Sequence, residues 1–205
     1  MIRVPPGRAG RSWLTNRLTT ATRATELLDH KLRSLQQQQR RLHQRALATR
    51  EQWQRVVHEA DAWLLRAVLA GGQRSLRLAT PTEKATVEIT WTTTMGVRYP
   101  ADAACRSPDP SPARGELDTG TAVLNARNAH REALQAAVRH AAALAAVRAV
   151  EAEITTTRRR VRALNQRWIP QLQQALWRLE LTLEEQERQD RLARRNATNN
   201  VNTLG

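Results

Sequence analysis

Apolar residues recur at alternating intervals of three and four along the amino-terminal part of the chain. This seven-residue repeat is typical of a helix that packs its apolar stripe against a partner helix. It begins after Ser12, a suitable N-cap, and ends at Gly71-Gly72, because glycine favours helix termination. We predict irregular residues 1–11 and a helix over residues 12–71, roughly 90 Å long. Its predicted seam positions are Leu14, Leu18, Ala21, Thr25, Leu28, Leu32, Leu35, Gln39, Leu42, Ala46, Thr49, Trp53, Val56, Ala60, Trp63, Ala67 and Ala70.

A second long apolar stripe predicts a helix over residues 119–195. Proline lacks a backbone N–H and its ring crowds the preceding turn, so we predict a bend near Pro170. Beyond the bend the apolar phase has slipped by about one residue relative to a strict heptad. Residues 196–205 are polar and predicted to form a disordered tail. The predicted seam positions are Val147, Val150, Ile154, Thr157, Val161, Leu164, Trp168, Leu172, Leu176, Leu179 and Leu183.

The central region, residues 72–118, lacks the helical period. Apolar and polar residues alternate along a first run, as in a half-buried strand, and the apolar ones are Val87, Ile89 and Trp91. A second run, residues 95–99, ends at a proline. We predict a β-hairpin over about 85–100, followed by a proline-rich loop.

Two helical arms on either side of a short insertion fold most simply as an antiparallel pair, because the apolar stripe of each arm then packs against that of the other. The seven-residue spacing predicts a left-handed supercoil. The chain has no Phe and one Tyr, and alanine-rich hydrophobic content suits thin helix seams. The predicted fold class is mainly α: a long antiparallel two-helix left-handed coiled coil with a short central β-hairpin.

The chain is strongly basic, with a formal net charge of +14 over 205 residues. Such basicity is compatible with nucleic acid, acidic membrane surfaces or acidic proteins as partners. Basic residues lie on all predicted helix faces and stacking aromatics are few, so acidic protein partners are favoured over nucleic acid. Cys105 is the single cysteine, which fits a reducing compartment. With neither a signal-peptide pattern nor an apolar run long enough to span a membrane, we expect a cytoplasmic protein.

The sequence offers no convergent catalytic site. Its five histidines form no metal-binding spacing, and we interpret them as surface helix residues. The Gly71–Ser75 stretch lacks the Gly-Lys-Ser/Thr ending of a phosphate loop. On a helix, residues three and four positions apart can form ion pairs, which here would join Arg188 and Arg191 to Glu184, Glu185 and Glu187. We therefore expect a protein that is not an enzyme and that has no catalytic, metal or cofactor site.

Three blocks of residues resemble the D subunit of the rotary V-type/A-type ATPases, the central rotor shaft. The first opens the chain, the second ends the predicted hairpin, and the third lies in the carboxy-terminal arm. In chain order the blocks contain Pro6-Gly7-Arg8, Leu14, Arg17, Leu18, Ala21, Arg23, Leu27-Leu28 and Lys31; Met95-Gly96-Val97-Arg98-Tyr99-Pro100; and Glu153-Ile154, Thr157-Arg158-Arg159-Arg160-Val161, Ala163-Leu164, Ile169-Pro170, Leu183-Glu184-Glu185 and Glu187-Arg188.

The resemblance implies a non-catalytic rotor subunit that couples ATP synthesis or hydrolysis in a catalytic hexamer to proton or sodium transport. The implied partners are the catalytic and regulatory nucleotide-binding subunits of the head, the small rotor protein known as the F subunit, and the membrane-ring cap subunit. The protein would be peripheral to the membrane. Expected bearing contacts near the chain termini are Arg17, Arg188, Arg191 and Arg194. Expected rotor-partner contacts on the hairpin are Ile89, Trp91, Met95, Gly96 and Val97.

Two other interpretations remain open. A non-rotary coiled-coil scaffold or adaptor would share the seam but not the three blocks. An arginine-rich nucleoid-binding protein would show strongly salt-dependent DNA retention.

Overall fold

The protein is mainly helical, with one small antiparallel sheet. The computed structural model describes residues 4–79, 83–108 and 120–202. A π-helical turn at Leu164–Trp168 separates the last two α-helices. The other elements are α1 (Gly7–Ala79), β1 (Thr86–Thr94), β2 (Val97–Arg106), α2 (Thr121–Ala163) and α3 (Ile169–Asn202).

The chain forms two units, each containing both arms. The first consists of residues 1–32 and 156–205 and the second of residues 33–155. In the first unit Leu14 and Leu172 are both 0% exposed and share one core cluster with Ala21. Their apolar neighbours are Val4, Trp13, Leu18, Ile169, Ala175, Leu176 and Leu179.

The core of the second unit is a thin seam in which alanines and valines outnumber larger side chains. Leu35 and Val150 are fully buried within it, and Ala67 packs with Val123 and Ala126 in a separate cluster. Alanine allows close helix approach, which explains why this alanine-rich arm needs few large residues. The other buried alanines of α2 are Ala133, Ala136, Ala142, Ala143 and Ala146.

The two arms run antiparallel within each unit. In the first unit Arg11 pairs with Glu180, and the earlier Arg8 pairs with the later Glu187. In the second unit Gln39 bonds Glu151, while further along α1 Ala67 packs on Val123, which lies earlier in α2. The antiparallel two-helix fold with a central hairpin is therefore confirmed.

The heptad pattern of the amino-terminal arm matches the buried stripe of α1. All its predicted positions are buried or half-buried except Ala70, which is exposed. The polar position Thr25 is buried, and its hydroxyl donates to the carbonyl of Ala21 at 3.0 Å. Since that donor is satisfied inside the helix, a threonine fits the seam without an unpaired polar group.

The carboxy-terminal seam departs from prediction at Trp168, which is 39% exposed. The cause is the π-helical turn, in which the Ile169 N–H donates to the carbonyl of Leu164. This wider turn adds one residue, so Ile169 instead of Trp168 reaches the core of the first unit. Pro170 has no N–H to offer the carbonyl of Gln166, which favours an irregular turn here. The one-residue phase slip in the sequence is this inserted residue.

Helix α1 begins at Gly7 and not at residue 12, so the predicted irregular segment is too long. A Cβ at Gly10 would collide with the carbonyl oxygen of Pro5 and lie 3.2 Å from Leu179 Cδ2. Gly10 therefore permits a close approach inside the helix and does not end it. Its helix-breaking tendency was the misleading signal.

The predicted helix end at Gly71-Gly72 is instead a break inside α1. Gly72 has φ 67° and ψ 180°, and helical residues continue beyond it to Ala79. This conformation is accessible essentially only to glycine. The Ser75 hydroxyl donates to the carbonyl of Gly72 at 2.8 Å and stabilises the restart.

The hairpin is longer than predicted. Its two-residue turn is Met95-Gly96, both with positive φ as in a type I′ turn, so these residues do not belong to the second strand. Thr90 faces Asp102 and Trp91 faces Pro100, which leaves Ala101 as a bulge.

A bulge tolerates proline, so β2 continues to Arg106 and does not end at Pro100 as predicted. Residues 101–106 of the predicted loop are thus strand, and its residues 109–118 lie outside the described part of the chain.

The carboxy-terminal helix begins at Thr121 and its backbone is helical to Asn202. The predicted disordered tail is therefore wrong for residues 196–202. Residues 203–205 lie outside the described part of the chain.

Replacing Leu172 tests the core of the first unit. Leu172→Ala leaves a cavity at a fully buried site and should lower the free energy of unfolding by about 2–5 kcal/mol. Leu181→Ala, on the same helix but 55% exposed, should cost less than about 0.5 kcal/mol. Urea unfolding followed by circular dichroism measures both. Equal losses would contradict the assigned seam.

Replacing Gly72 tests the helix break. Gly72→Ala places a Cβ on a glycine-only conformation and should destabilise the protein by about 1–3 kcal/mol. Gly120→Ala is the matched control, since Gly120 has no positive φ and no atom within 4 Å of the added Cβ. A Gly72→Ala variant as stable as the control would show that α1 is continuous in solution.

Candidate interaction surfaces

One face of the hairpin is fixed to α1 by polar side chains. The Tyr99 hydroxyl is 2.9 Å from Gln38 Nε2, which donates to it, and 3.0 Å from the Thr94 hydroxyl. Arg45 donates from one guanidinium nitrogen to the Ala101 carbonyl and from the other to the Asp102 carboxylate. Strand β2 is thereby held against the helix at two places.

The opposite face of the hairpin carries Val87, Ile89 and Trp91, here called the outer apolar face. These residues alternate along β1 with Thr90 and Thr92, which pair with the helix-facing Asp102 and Tyr99. Because side chains alternate across a strand, the three residues of the outer apolar face lie on the sheet face opposite to Thr90 and Thr92. Its side chains are 51%, 47% and 49% exposed. The expected burial of this strand face is therefore not found, and the residues form an accessible apolar patch.

A charged group accompanies the outer apolar face. The Arg98 guanidinium lies 4.8 Å from the Trp91 ring centroid, a cation–π contact. Glu88 and Arg106 form an ion pair of 3.3 Å across the strands, on the sheet face that also carries Thr90 and Thr92. An apolar centre bordered by charge is typical of a protein–protein interface.

The hairpin residues expected to contact a rotor partner differ in accessibility. Ile89, Trp91 and Met95 are exposed, and Gly96 lies in the turn beside Met95. Val97 is only 9% exposed. The structure therefore removes Val97 from the accessible surface, because the hairpin turn directs it inward.

The arginines expected to act as bearing contacts all lie on the surface of the first unit. Arg17 stacks over Trp13 at 5.0 Å from the ring centroid, and Arg191 pairs with Glu187 at 3.5 Å. Arg188 and Arg194 are exposed on α3. Exposed ion pairs of this kind add little stability, so exchanging Glu187 for a carboxylate of another chain would cost Arg191 little.

Sequence reasoning missed two arginines near the same end. Arg8 pairs with Glu187 at 3.5 Å and Arg11 with Glu180 at 3.0 Å. Both join α1 to α3. The heptad pattern contained a signal for them. Arg11 lies three residues before the seam position Leu14 and Arg8 lies six residues before it, and in an antiparallel pair such positions lie close to the partner helix.

His140 is not the simple surface histidine expected from the sequence. Its ring stacks on Trp53 with centroids 5.6 Å apart, and its Nδ1 lies 3.2 Å from the Thr49 hydroxyl. This contact joins α1 to α2 in the second unit. It shows how the large indole of Trp53 is accommodated in the seam.

Within residues 4–79, 83–108 and 120–202, no three His, Cys, Asp or Glu side chains are grouped so that they could bind a metal ion. Over the same ranges, no helix has a stretch sufficiently long and apolar to cross a membrane.

The family model that describes the D subunit of ATP synthase matches residues 12–198. The chain belongs to the ATP synthase D-subunit family. This is the D-subunit family of the V-type/A-type ATPases, whose members are stalk subunits and not catalytic themselves. A comparison with curated proteins gives no match.

Membership of the ATP synthase D-subunit family places the chain in a rotary ATPase complex, within its central stalk. The matched region includes nearly all of both helical arms and the whole hairpin. The exposed apolar and basic surfaces are therefore candidates for contacts with neighbouring subunits.

Replacing Arg45 tests how the hairpin is held. Arg45→Ala removes the donors to Ala101 and Asp102 and should speed amide hydrogen exchange along β2 by about fivefold or more, equivalent to roughly 1 kcal/mol of local stability. Arg41→Ala removes a nearby exposed arginine and should leave exchange unchanged. Hydrogen exchange read by mass spectrometry compares the two. Unchanged β2 protection in Arg45→Ala would contradict this docking.

Proposed function

We propose that this protein is the rotor shaft that couples ATP synthesis or hydrolysis in a catalytic hexamer to proton or sodium transport through a membrane ring. The observation that carries the proposal is the family match over both arms and the hairpin. It is supported by antiparallel packing of the arms within each unit, since paired helices resist torsion better than a single helix. The protein would act on the cytoplasmic side, peripheral to the membrane.

The proposed mechanism is mechanical. A shaft that is asymmetric about its axis presents a different surface to each of three catalytic interfaces at any moment. The hairpin supports this, because its contacts with Gln38 and Arg45 place it on one side of α1. Rotation would then cycle the interfaces through different nucleotide affinities.

In this proposal the first unit lies within the head of the complex. Arg17, Arg188, Arg191 and Arg194 would contact acidic surfaces of the catalytic and regulatory nucleotide-binding subunits. The exposure of these arginines and the high net positive charge of the chain support such contacts. Long-range attraction between opposite charges would centre the shaft without fixing it to one subunit.

The second unit would bind the small F subunit of the rotor and seat on the membrane-ring cap subunit. The contact with a rotor partner would involve Ile89 and Trp91 of the outer apolar face. Met95 and Gly96 at the turn would also contribute to it. Their exposure supports this role, since accessible apolar patches bordered by charge mark interaction sites.

Charge reversal at the carboxy-terminal arm tests the proposal. In membrane vesicles carrying the intact complex, Arg188→Glu combined with Arg191→Glu should lower the amount of ion pumped per ATP hydrolysed. The reason is that like charges brought together at an interface cost several kcal/mol. The matched control is Arg139→Glu combined with Arg148→Glu, two exposed arginines of the second unit.

Both quantities in this experiment are measured on the same vesicles, ATP hydrolysis by phosphate release and pumping by a pH- or sodium-sensitive dye. Coupling equal to wild type in the Arg188/Arg191 variant would exclude these arginines from the bearing. A wild-type chain that co-purifies with no nucleotide-binding subunits would exclude the rotor role and favour the scaffold alternative.

A further inference from the structure

A groove of about 450 Å³ lies in the second unit beside the end of the helix pair. Side chains of α1 and α2 form much of it, and Pro108, just after β2, also lines it. Most of the lining is apolar, including Leu64, Leu76, Val123 and Leu134. Its volume lies within the range of natural binding sites. Leu134 is 41% exposed, so the groove is accessible from outside.

One nitrogen of a charged group in this groove has no hydrogen-bond partner among the described residues. Arg127 Nη2 is buried, and within the described residues no acceptor lies within hydrogen-bond distance of it. The corresponding nitrogen of the neighbouring arginine has an acceptor, because Arg131 Nη2 donates to the Pro108 carbonyl at 2.8 Å. His130 Nδ1 lies 2.9 Å from the Ala126 carbonyl. Glu83 also lines the groove but does not bond Arg127 Nη2.

A buried guanidinium N–H without an acceptor is costly, and nearly all such groups in proteins are satisfied. The strongest acceptor for it is a carboxylate, which forms a charge-assisted hydrogen bond. The basic neighbours Arg131 and His130 favour an anionic group at the same place. Whatever occupies the groove should therefore supply a carboxylate to Arg127 and apolar atoms to the leucines around it.

We propose that this groove docks a segment of a neighbouring stalk subunit that carries an Asp or Glu next to an apolar side chain. The carboxylate accepts a hydrogen bond from Arg127 Nη2, and the apolar side chain packs on Leu64 and Leu134. Arginine buried in an apolar setting is a common anchor of protein interfaces. The inference rests on the proposed function, since it places the partner within the same complex.

Substitution of Arg127 separates a docking role from a purely structural one. In the isolated chain, Arg127→Leu removes a guanidinium whose buried Nη2 has no acceptor and should leave the thermal midpoint equal to or above that of wild type. In the complex, the same variant and Arg127→Glu should weaken retention of the docked subunit at least about tenfold. Arg139→Leu, an exposed arginine of the same helix outside the groove, is the matched control.

A photo-crosslinker identifies the occupant. p-Benzoylphenylalanine replaces Leu134 in the purified complex, with a control label at Leu65, an exposed residue that does not line the groove. The expected product joins Leu134 to a peptide of another stalk subunit that contains Asp or Glu close to the linked position. Arg127→Glu should reduce this product and leave products from the Leu65 label unchanged.

Three results would overturn the inference. The first is that the Arg127→Leu complex retains every subunit as wild type does. The second is that this variant has a lowered thermal midpoint and loses no subunit. The third is that the cross-linked peptide lacks an acidic residue. In each case, if the wild-type chain still co-purifies with the intact complex, the rotor role is not contradicted. If the wild-type chain binds no ATPase subunit, the rotor role and this inference fail together.

Discussion

The apolar stripes of the two arms must be buried against each other, and most of the structure depends on this constraint. Neither arm has a second apolar layer, so a single helix would expose its stripe to water. In each unit the arms pair antiparallel. The residues with 0% exposure lie in this seam, namely Leu14, Thr157 and Leu172 in one unit and Leu35, Ala67 and Val150 in the other. Burial of an apolar side chain stabilises by about 1.5–3 kcal/mol, so the stability is distributed along the pair.

Irregularities in the helices follow from the need to keep the seam in phase. Pro170 disrupts regular hydrogen bonding, and the π-helical turn before it inserts one residue and brings Ile169 to the core. The same turn exposes Trp168. At Gly10 a missing side chain lets the chain before α1 fold back closely over the helix. At both Gly10 and Pro170 the local sequence favours the end of a helix. Tertiary packing outweighs this local preference at both positions.

Periodicity predicted the fold because a long heptad repeat has few structural interpretations. It placed nearly every α1 seam residue on the buried side, and the slip after Trp168 indicated the position of the inserted residue. The hairpin was less predictable, because its register depends on the positive φ values of Met95 and Gly96 and on the bulge at Ala101. Alternation along β1 correctly indicated a strand but could not tell which sheet face meets α1.

The interaction surfaces were less accessible to sequence reasoning than the fold. The blocks shared with the family indicated a rotor subunit, and the family match agrees. The burial of Arg127 Nη2 depends on residues distant in sequence, such as Leu64, Leu134 and Pro108, coming together. No local pattern around Arg127 distinguishes it from the other arginines of the chain.

Pairing of the two arms within one molecule is the central claim, and distances between spin labels test it most directly. Labels at Arg11 and Glu180 probe the first unit, and labels at Gln39 and Glu151 the second, in a Cys105→Ser background. Packed helix axes lie about 8–10 Å apart, so double electron–electron resonance should give roughly 10–20 Å for both pairs, unchanged on dilution with unlabelled protein. A distance beyond about 30 Å in either pair, or a short distance lost on dilution, would contradict the account.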